Sequence, residues 1–210
     1  MLPGSDELLR TLEDARDAGY LGPGPVESHL EHSAGFGEVV EGALGRAPDS
    51  FADLGTGGGV PGLVLASRWN EARGTLVESN GRRCEALRWA LVRLGFEGRI
   101  DVVEERAEVV GRDPGRREQF EAVTARGFAA PAPTAEIASG LVAVGGVVVV
   151  SDPPEPDHDR WPEVNLRQLG LGPAVEHLAA EAHFAVFSKV EPVSDEFPRR
   201  VGRPAKRPLW

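Results

Sequence analysis

Cys84 is the only cysteine in the 210 residues, so the chain cannot close a disulfide on itself, and a reducing cytoplasm is the expected setting. Long apolar runs are missing too. None approaches the ~20 residues that span a bilayer, and the first residues lack the basic-then-apolar order of a secretory signal. Neither a membrane nor a secretory route is therefore expected. Metal-ligand spacing is absent: His158, His177 and His183 stand in no zinc-like arrangement with each other or with Cys84, so no metal is expected. Lysine is scarce as well, since of 23 basic residues only Lys189 and Lys206 are lysines. That arginine bias, with abundant Ala and Gly, points to a GC-rich bacterial genome. Positive charge as a whole is short, and the net charge is −10. A body so acidic does not by itself attract a polyanion. Residues 197–210 are the exception. They carry Arg199, Arg200, Arg203, Lys206 and Arg207 and no acid, which leaves −15 on the rest of the chain. This asymmetry points either to a nucleic-acid contact or to a solvated, proline-punctuated terminus.

What is present is concentrated in Phe51-Ala-Asp-Leu-Gly-Thr-Gly-Gly-Gly-Val-Pro-Gly62. A short apolar run ends in Asp53, glycines follow at 55, 57, 59 and 62, and Leu63-Val-Leu-Ala66 resumes the apolar pattern. The pattern predicts a buried strand, a tight turn and the first turn of a helix. Glycine serves where φ is positive or where a ligand presses on bare main chain, and Pro61 suits the first helical position. The free amides of that helix start are expected to receive a polar or negatively charged group. Gly57-x-Gly59-x-x-Gly62 formally fits a dinucleotide fingerprint, a weak signal when it stands alone. The fuller series Asp53, Gly55, Gly57, Gly59 looks like motif I of class I S-adenosylmethionine (SAM) methyltransferases. The next predicted strand, Gly74-Thr-Leu-Val-Glu78, ends in an acid that can accept both hydroxyls of a ribose, whichever nucleoside is bound.

Along the rest of the chain, helices are predicted from Ser5, a candidate cap, to about Tyr20, and from Val26 to Leu44, broken by Gly22-Pro-Gly-Pro25. Strands are predicted near 50–54, 74–78, 99–103, 120–125, 144–150, 172–179 and 183–190, the first five alternating with helices. The helix 80–94 sets Cys84, Leu87, Leu91 and Leu94 on one stripe and Arg82, Arg83, Glu85, Arg88 and Arg93 outside it. The reading is an α/β, Rossmann-like, doubly wound sheet of seven strands, with N-terminal helices and a C-terminal antiparallel hairpin. The expected division is a helical extension over 1–48, a cofactor domain over 49–191 and a basic tail over 192–210.

Several further segments are similar to one family. DLGTGGGVPGLVLA, TLVESNGRRCEALR, VVEERAEVV, VTARGFAAP and the ending FPRRVGRPAKRPL together resemble the RsmG (glucose-inhibited division protein B) family, over roughly residues 26–210. Members are bacterial SAM-dependent methyltransferases for guanine nitrogen 7 of 16S ribosomal RNA. The resemblance implies SAM as cofactor, ribosomal RNA or the 30S subunit as partner, and a cytoplasmic place of work. It implies a cofactor site of Asp53, Gly55, Thr56, Gly57, Gly59, Glu78, Ser79, Arg106, Ala107, Glu108 and Arg126. Arg126, after the fourth strand, is the expected catalytic residue. His29 with Arg199, Arg200, Arg203, Lys206 and Arg207 is the expected substrate surface. The chain also departs from the family. Ser28-His-Leu-Glu-His-Ser33 stands where Arg-His-x-x-Asp-Ser is usual, and Ser151-Asp152 where a Lys-Gly pair is usual.

Three functions follow from these features. One is a ribosomal RNA methyltransferase, favoured by the tail and Arg126. A second is a SAM-dependent enzyme with a small-molecule or peptide acceptor, favoured by the acidic body. A third is a non-catalytic SAM-binding interaction protein. Methylation of a ring nitrogen needs no general base, because the lone pair is already free; alignment and suitable dipoles suffice.

Overall fold

The strands form where short runs of Val, Ala, Leu and Phe can be buried on both faces, as a parallel sheet requires. The computed structural model describes residues 5–155 and 158–210. Its sheet has seven strands in the order β3-β2-β1-β4-β5-β7-β6. These are β1 Ser50–Leu54, β2 Arg73–Glu78, β3 Ile100–Glu104, β4 Phe120–Ala125, β5 Val142–Asp152, β6 Val175–Ala179 and β7 Ala182–Ser188. The first five run parallel, and β7 inserts antiparallel between β5 and β6. The chain order reverses between β1 and β4, so a crevice opens beyond their carboxyl ends, where open α/β sheets take ligands.

Helices cover both faces. On one side α1 (Ser5–Asp17), α2 (Val26–Leu44), α3 (Gly62–Arg68) and α4 (Gly81–Leu94) bury Leu12, Phe36, Leu63 and Leu87 against Phe51, Leu76 and Phe184. On the other, α5 (Ala107–Val110), α6 (Pro131–Ser139) and α7 (Glu163–Gln168) bury Val110, Ile137 and Leu166 against Leu54, Val123, Val148 and Phe187. The N-terminal helices are thus part of the core rather than an appendage. Helix α4 keeps its predicted stripe: Cys84, Leu87 and Leu91 are buried and Leu94 is half-buried. Asn80 caps it by accepting from the Arg83 amide at 3.2 Å. The Cys84 thiol donates to the Glu78 carbonyl at 3.2 Å; burial, the larger cause, and nearby Glu104 and Glu78 push its pKa up, as suits a core residue rather than a nucleophile. The side chains of Ser5 and His158 lie outside the described residues.

Three local features differ from expectation. Strand β5 is longer than 144–150, because Gly145 (φ +88°) and Gly146 absorb an irregularity in its pairing with β4. A Cβ on Gly146 would meet the Glu121 carbonyl oxygen at 2.6 Å. The β6–β7 hairpin turns on Ala180 (φ +45°) and Glu181 (φ +58°), a left-handed pair without the Asn-Gly signal such a turn usually shows.

The third is the tail, which is not a free arm. Phe197 and Pro204 are buried, Pro198 lies beside Gly111 and Gly140, and α8 (Arg203–Lys206) sits on α6. Trp210 Nε1 donates to the Arg160 carbonyl at 3.0 Å, which ties this tryptophan to the body.

Candidate functional site

At the carboxyl ends of β1, β2 and β4 lies a cavity of about 220 Å³, with Gly55, Glu78, Ser79, Ala107, Gly127 and Phe128 among its walls. Gly55 is glycine for two reasons. Its φ is +63°, and a Cβ would meet Phe128 Cδ2 at 2.7 Å. Glu78 closes β2 with only 7% of its surface exposed. Its Oε1 accepts from the amides of Ser79 (2.8 Å) and Asn80 (2.9 Å), and its Oε2 from Gly57 (3.2 Å). The amides hold the carboxylate in one orientation and join it to the glycine loop. Arg83 stands 3.7 Å from the same oxygen. With three amides on about four acceptor sites, Glu78 keeps one site, on Oε2, for a ribose hydroxyl.

Asp53 behaves otherwise than a ligand contact. It is fully buried, accepting from Thr124 Oγ1 at 2.8 Å and from the Gly62 amide at 3.0 Å. The helix start expected to hold a ligand's negative charge is therefore occupied by the chain's own carboxylate. The Leu63 amide is taken as well, by the Gly59 carbonyl at 2.7 Å. Burial, partly offset by the hydrogen bonds from Thr124 and Gly62, raises the Asp53 carboxyl to about 6. Asp53 and Thr56, both buried, brace the loop from beneath.

Arg126 leaves the end of β4 half-buried. Its Nη2 lies 2.7 Å from His29 Nδ1, and its Nη1 is shielded from solvent with no partner in the protein. Desolvation lowers its pKa while Asp53 raises it. His29 is 6% exposed and sits in the first turn of α2, so it does not form part of an open substrate surface as expected; it touches Arg126 instead. The contact is 97 residues apart in sequence and no spacing rule signals it. One turn on, His32 packs between Phe36 and Phe184, and burial, then Arg126 and His29, lower its pKa to about 4.

The last pieces come from β3 and the tail. Arg106 Nη2 pairs with Glu108 at 3.1 Å, and Glu108, 2% exposed, also accepts from the Gly202 amide at 3.0 Å. Arg199 is spent internally. Its amide (2.7 Å), Nε (2.9 Å) and Nη2 (2.5 Å) all donate to Glu136, which is fully buried. Arg200, Arg203, Lys206 and Arg207 are exposed. Arg112 joins Arg199, Arg200, Arg203 and Glu196 around a hollow and steadies the tail by donating to the Pro198 carbonyl at 2.8 Å. Asp152, which replaces a usual cation, is neutralised locally by Arg160 at 2.8 Å and by Trp161 Nε1 at 3.0 Å.

A family model, rRNA small subunit methyltransferase G (GidB), matches residues 26–152. A ribosomal RNA small subunit methyltransferase G of Rubrobacter xylanophilus is 36% identical over 174 residues, covering 78% of this chain and 66% of that protein. One from Roseiflexus sp. strain RS-1 is 36% identical over 171 residues, covering 79% of this chain and 73% of the relative. The chain belongs to the rRNA small subunit methyltransferase G family. Among solved structures, an O-methyltransferase of Bacillus cereus in complex with SAH aligns with TM-score 0.61 at 15% identity, covering 88% of this chain and 91% of that one. An O-methyltransferase family protein of Burkholderia thailandensis gives 0.57 at 15% identity, covering 77% and 57%. The fold is that of class I SAM-dependent methyltransferases, and SAM is the family's cofactor.

The residues present fit that cofactor. A fixed carboxylate closes β2, a glycine-floored cavity adjoins it, Ala107 and Phe128 offer apolar surface to a purine, and Arg126 Nη1 is a buried donor lacking an acceptor. Among the described residues no helix is long and apolar enough to cross a membrane, and no group of three or more His, Cys, Asp and Glu side chains is placed to hold a metal ion.

Proposed function

We propose that the chain transfers a methyl group from SAM to nitrogen 7 of a guanine in small-subunit ribosomal RNA, working in the bacterial cytoplasm on the RNA or on the 30S subunit. Its relatives' names supply the reaction class. The observation that carries the RNA acceptor is the placing of the free cations. Arg200, Arg203, Lys206 and Arg207 are exposed on a tail whose Gly202 is tied to Glu108 at the rim of the cofactor cavity. The acid-free cluster of cations at 197–210 thus adjoins the cofactor site, while the rest of the chain is acidic in net charge. A phosphate backbone is the acceptor chemistry this suits.

Bound SAM supplies an electrophilic methyl on a sulfonium. The chain's own residues position and solvate. Glu78 would accept a ribose hydroxyl, Ala107 with Arg106 and Glu108 would bracket the base, and Phe128 would close the cavity. Ser79 and Gly57 serve through the amides that hold Glu78. Arg126, just beyond β4, would donate through its unpartnered Nη1 to an acceptor oxygen of the bound molecules. No side chain has to remove a proton, because guanine nitrogen 7 carries none. Catalysis is alignment in a partly desolvated site.

The test is transfer of labelled methyl from SAM, in parallel, into 30S subunits, naked 16S RNA and a small-molecule extract. Incorporation into the RNA at a guanine, sensitive to Glu78→Ala, is the expected result. Label in the extract alone would replace the RNA acceptor with a small molecule. No incorporation anywhere, despite measurable SAM binding, would leave a binding protein without turnover.

A further inference from the structure

Arginines in this chain are mostly gripped by carboxylates. Arg199 is held by Glu136, Arg68 by Glu41, Arg46 by Glu121, and Arg93 by Glu7 and Asp14. Arg126 is treated differently. Its one direct side-chain partner is the imidazole of His29, although it is half-buried just beyond the end of β4. A carboxylate in that position would satisfy the guanidinium and hold its charge. An imidazole fixes the orientation and leaves the charge available.

The protonation state of His29 follows from its two neighbours. A guanidinium nitrogen can only donate, so Nδ1 at 2.7 Å from Arg126 Nη2 must be the bare, accepting nitrogen. The ring proton then sits on Nε2, which faces the Gly22 carbonyl oxygen at 3.2 Å, a group that can only accept. Both neighbours select the same neutral tautomer. Gly22 lies in the break between α1 and α2, so the linker sets the ring and the ring sets Arg126. Ser33, one turn further along α2, is fully buried and donates to the His29 carbonyl at 2.6 Å, which pins this turn of helix from below. On the far side of the guanidinium, Nη1 is shielded and unpartnered.

We propose that His29 is a positioning residue: held as the Nε2-protonated neutral tautomer by the Gly22 carbonyl, it orients the Arg126 guanidinium so that Nη1 points at an acceptor oxygen of the bound molecules. The functional half of this rests on the methyl-transfer reading above. The geometric half does not.

Two substitutions separate the roles of the two ring nitrogens. In His29→Asn the side-chain oxygen falls near the place of Nδ1, which keeps the acceptor for Arg126 and gives up the Gly22 bond. In His29→Gln the amide nitrogen falls near the place of Nε2, which keeps the donor to Gly22 and gives up the acceptor. We expect His29→Gln to lose at least about tenfold in kcat, the scale of a mispositioned group, with little change in KM for SAM. His29→Asn should recover most of that loss, although both variants melt alike. Loss of kcat in step with loss of stability in both variants, or no change in either, would overturn the proposal. A second readout needs no turnover. Long-range ¹H–¹⁵N spectra of the protein should show His29 protonated at Nε2 only, with a slowly exchanging Arg126 Nη2 proton that survives in His29→Asn and vanishes in His29→Gln. A ring protonated at Nδ1 would overturn the proposal even in an active enzyme. If the wild-type protein transfers no methyl, the methyl-transfer reading falls, and the spectra still decide the His29–Arg126 link.

Discussion

Removing the Arg199 side chain should unfold the protein more readily without touching its affinity for RNA directly, although sequence alone groups Arg199 with the exposed tail cations. Glu136 has no exposed surface, and Arg199 gives its carboxylate two guanidinium bonds, at 2.9 and 2.5 Å, besides an amide bond at 2.7 Å. Arg199→Ala keeps the amide and strands the rest of a buried charge. Breaking a buried pair by removing one partner costs about 3–5 kcal/mol. For a chain of this size each kcal/mol moves the melting temperature by about 2–4 °C, so a fall of roughly 6–20 °C is expected. Arg200→Ala removes an exposed side chain and should change stability by no more than about 0.5 kcal/mol. The companion swap Glu136→Leu with Arg199→Met should recover much of the loss, since well-packed apolar pairs often replace buried ion pairs at little cost. Calorimetric melting of the four proteins decides stability. Filter binding of an rRNA fragment across salt concentrations decides RNA contact, each lost phosphate contact flattening the log–log slope by about 0.7–0.9. An Arg199→Ala protein that melts like wild type and loses RNA affinity as Arg200→Ala does would refute the reasoning, for Arg199 would then be free in solution.

Three further outcomes are expected. Glu78→Ala should weaken SAM by about 1.5–3 kcal/mol, the scale of hydrogen bonds to a charged group, with NAD binding negligible; calorimetry finding tight NAD and no SAM would contradict the cofactor site. Ala107→Trp should fill the cavity wall and block SAM in a folded protein, and unchanged affinity would place the pocket elsewhere. Asp53 titrates at about 6 when folded against 3.8 as an ordinary carboxyl. Between those values the folded chain holds a proton the unfolded chain has lost, so this contribution is full below about pH 4 and disappears as pH rises through 6. Relative to the non-titrating Asp53→Asn, wild type should therefore gain up to about 3 kcal/mol as pH falls from 7 to 4. Denaturant midpoints that run parallel across that range would count against it.

The fold was legible where periodicity or glycine carried it. The apolar runs of β1, β2 and β4, the Cys84–Leu91 stripe and the reversing hairpin all appear where the pattern puts them. So does the carboxylate at Glu78, because a strand end followed by a capped helix fixes its place. Partnerships across the sheet were not legible. Arg199 with Glu136 joins residues 63 apart, and Arg126 with His29 joins residues 97 apart. Nothing in local spacing separates an arginine that meets a buried acid from one that meets water. Asp53 shows the same limit: the motif places it at the glycine loop, and only its burial reveals that it serves the loop rather than the ligand. The Ala180–Glu181 turn was hidden for another reason, since neither residue favours the left-handed conformation it adopts.

The bond between the Gly202 amide and Glu108 has a consequence for the order in which the molecule is made. Glu108 precedes Gly202 by 94 residues, so it is synthesised well before its partner. Until then a buried carboxylate in the cavity wall has only Arg106 to satisfy it. Arg199 likewise follows its partner Glu136 by 63 residues. The nascent chain can assemble its five parallel strands early, yet its cofactor cavity is finished only when the tail has docked. A completed cofactor cavity thus follows the docking of the tail rather than guiding the folding of the sheet.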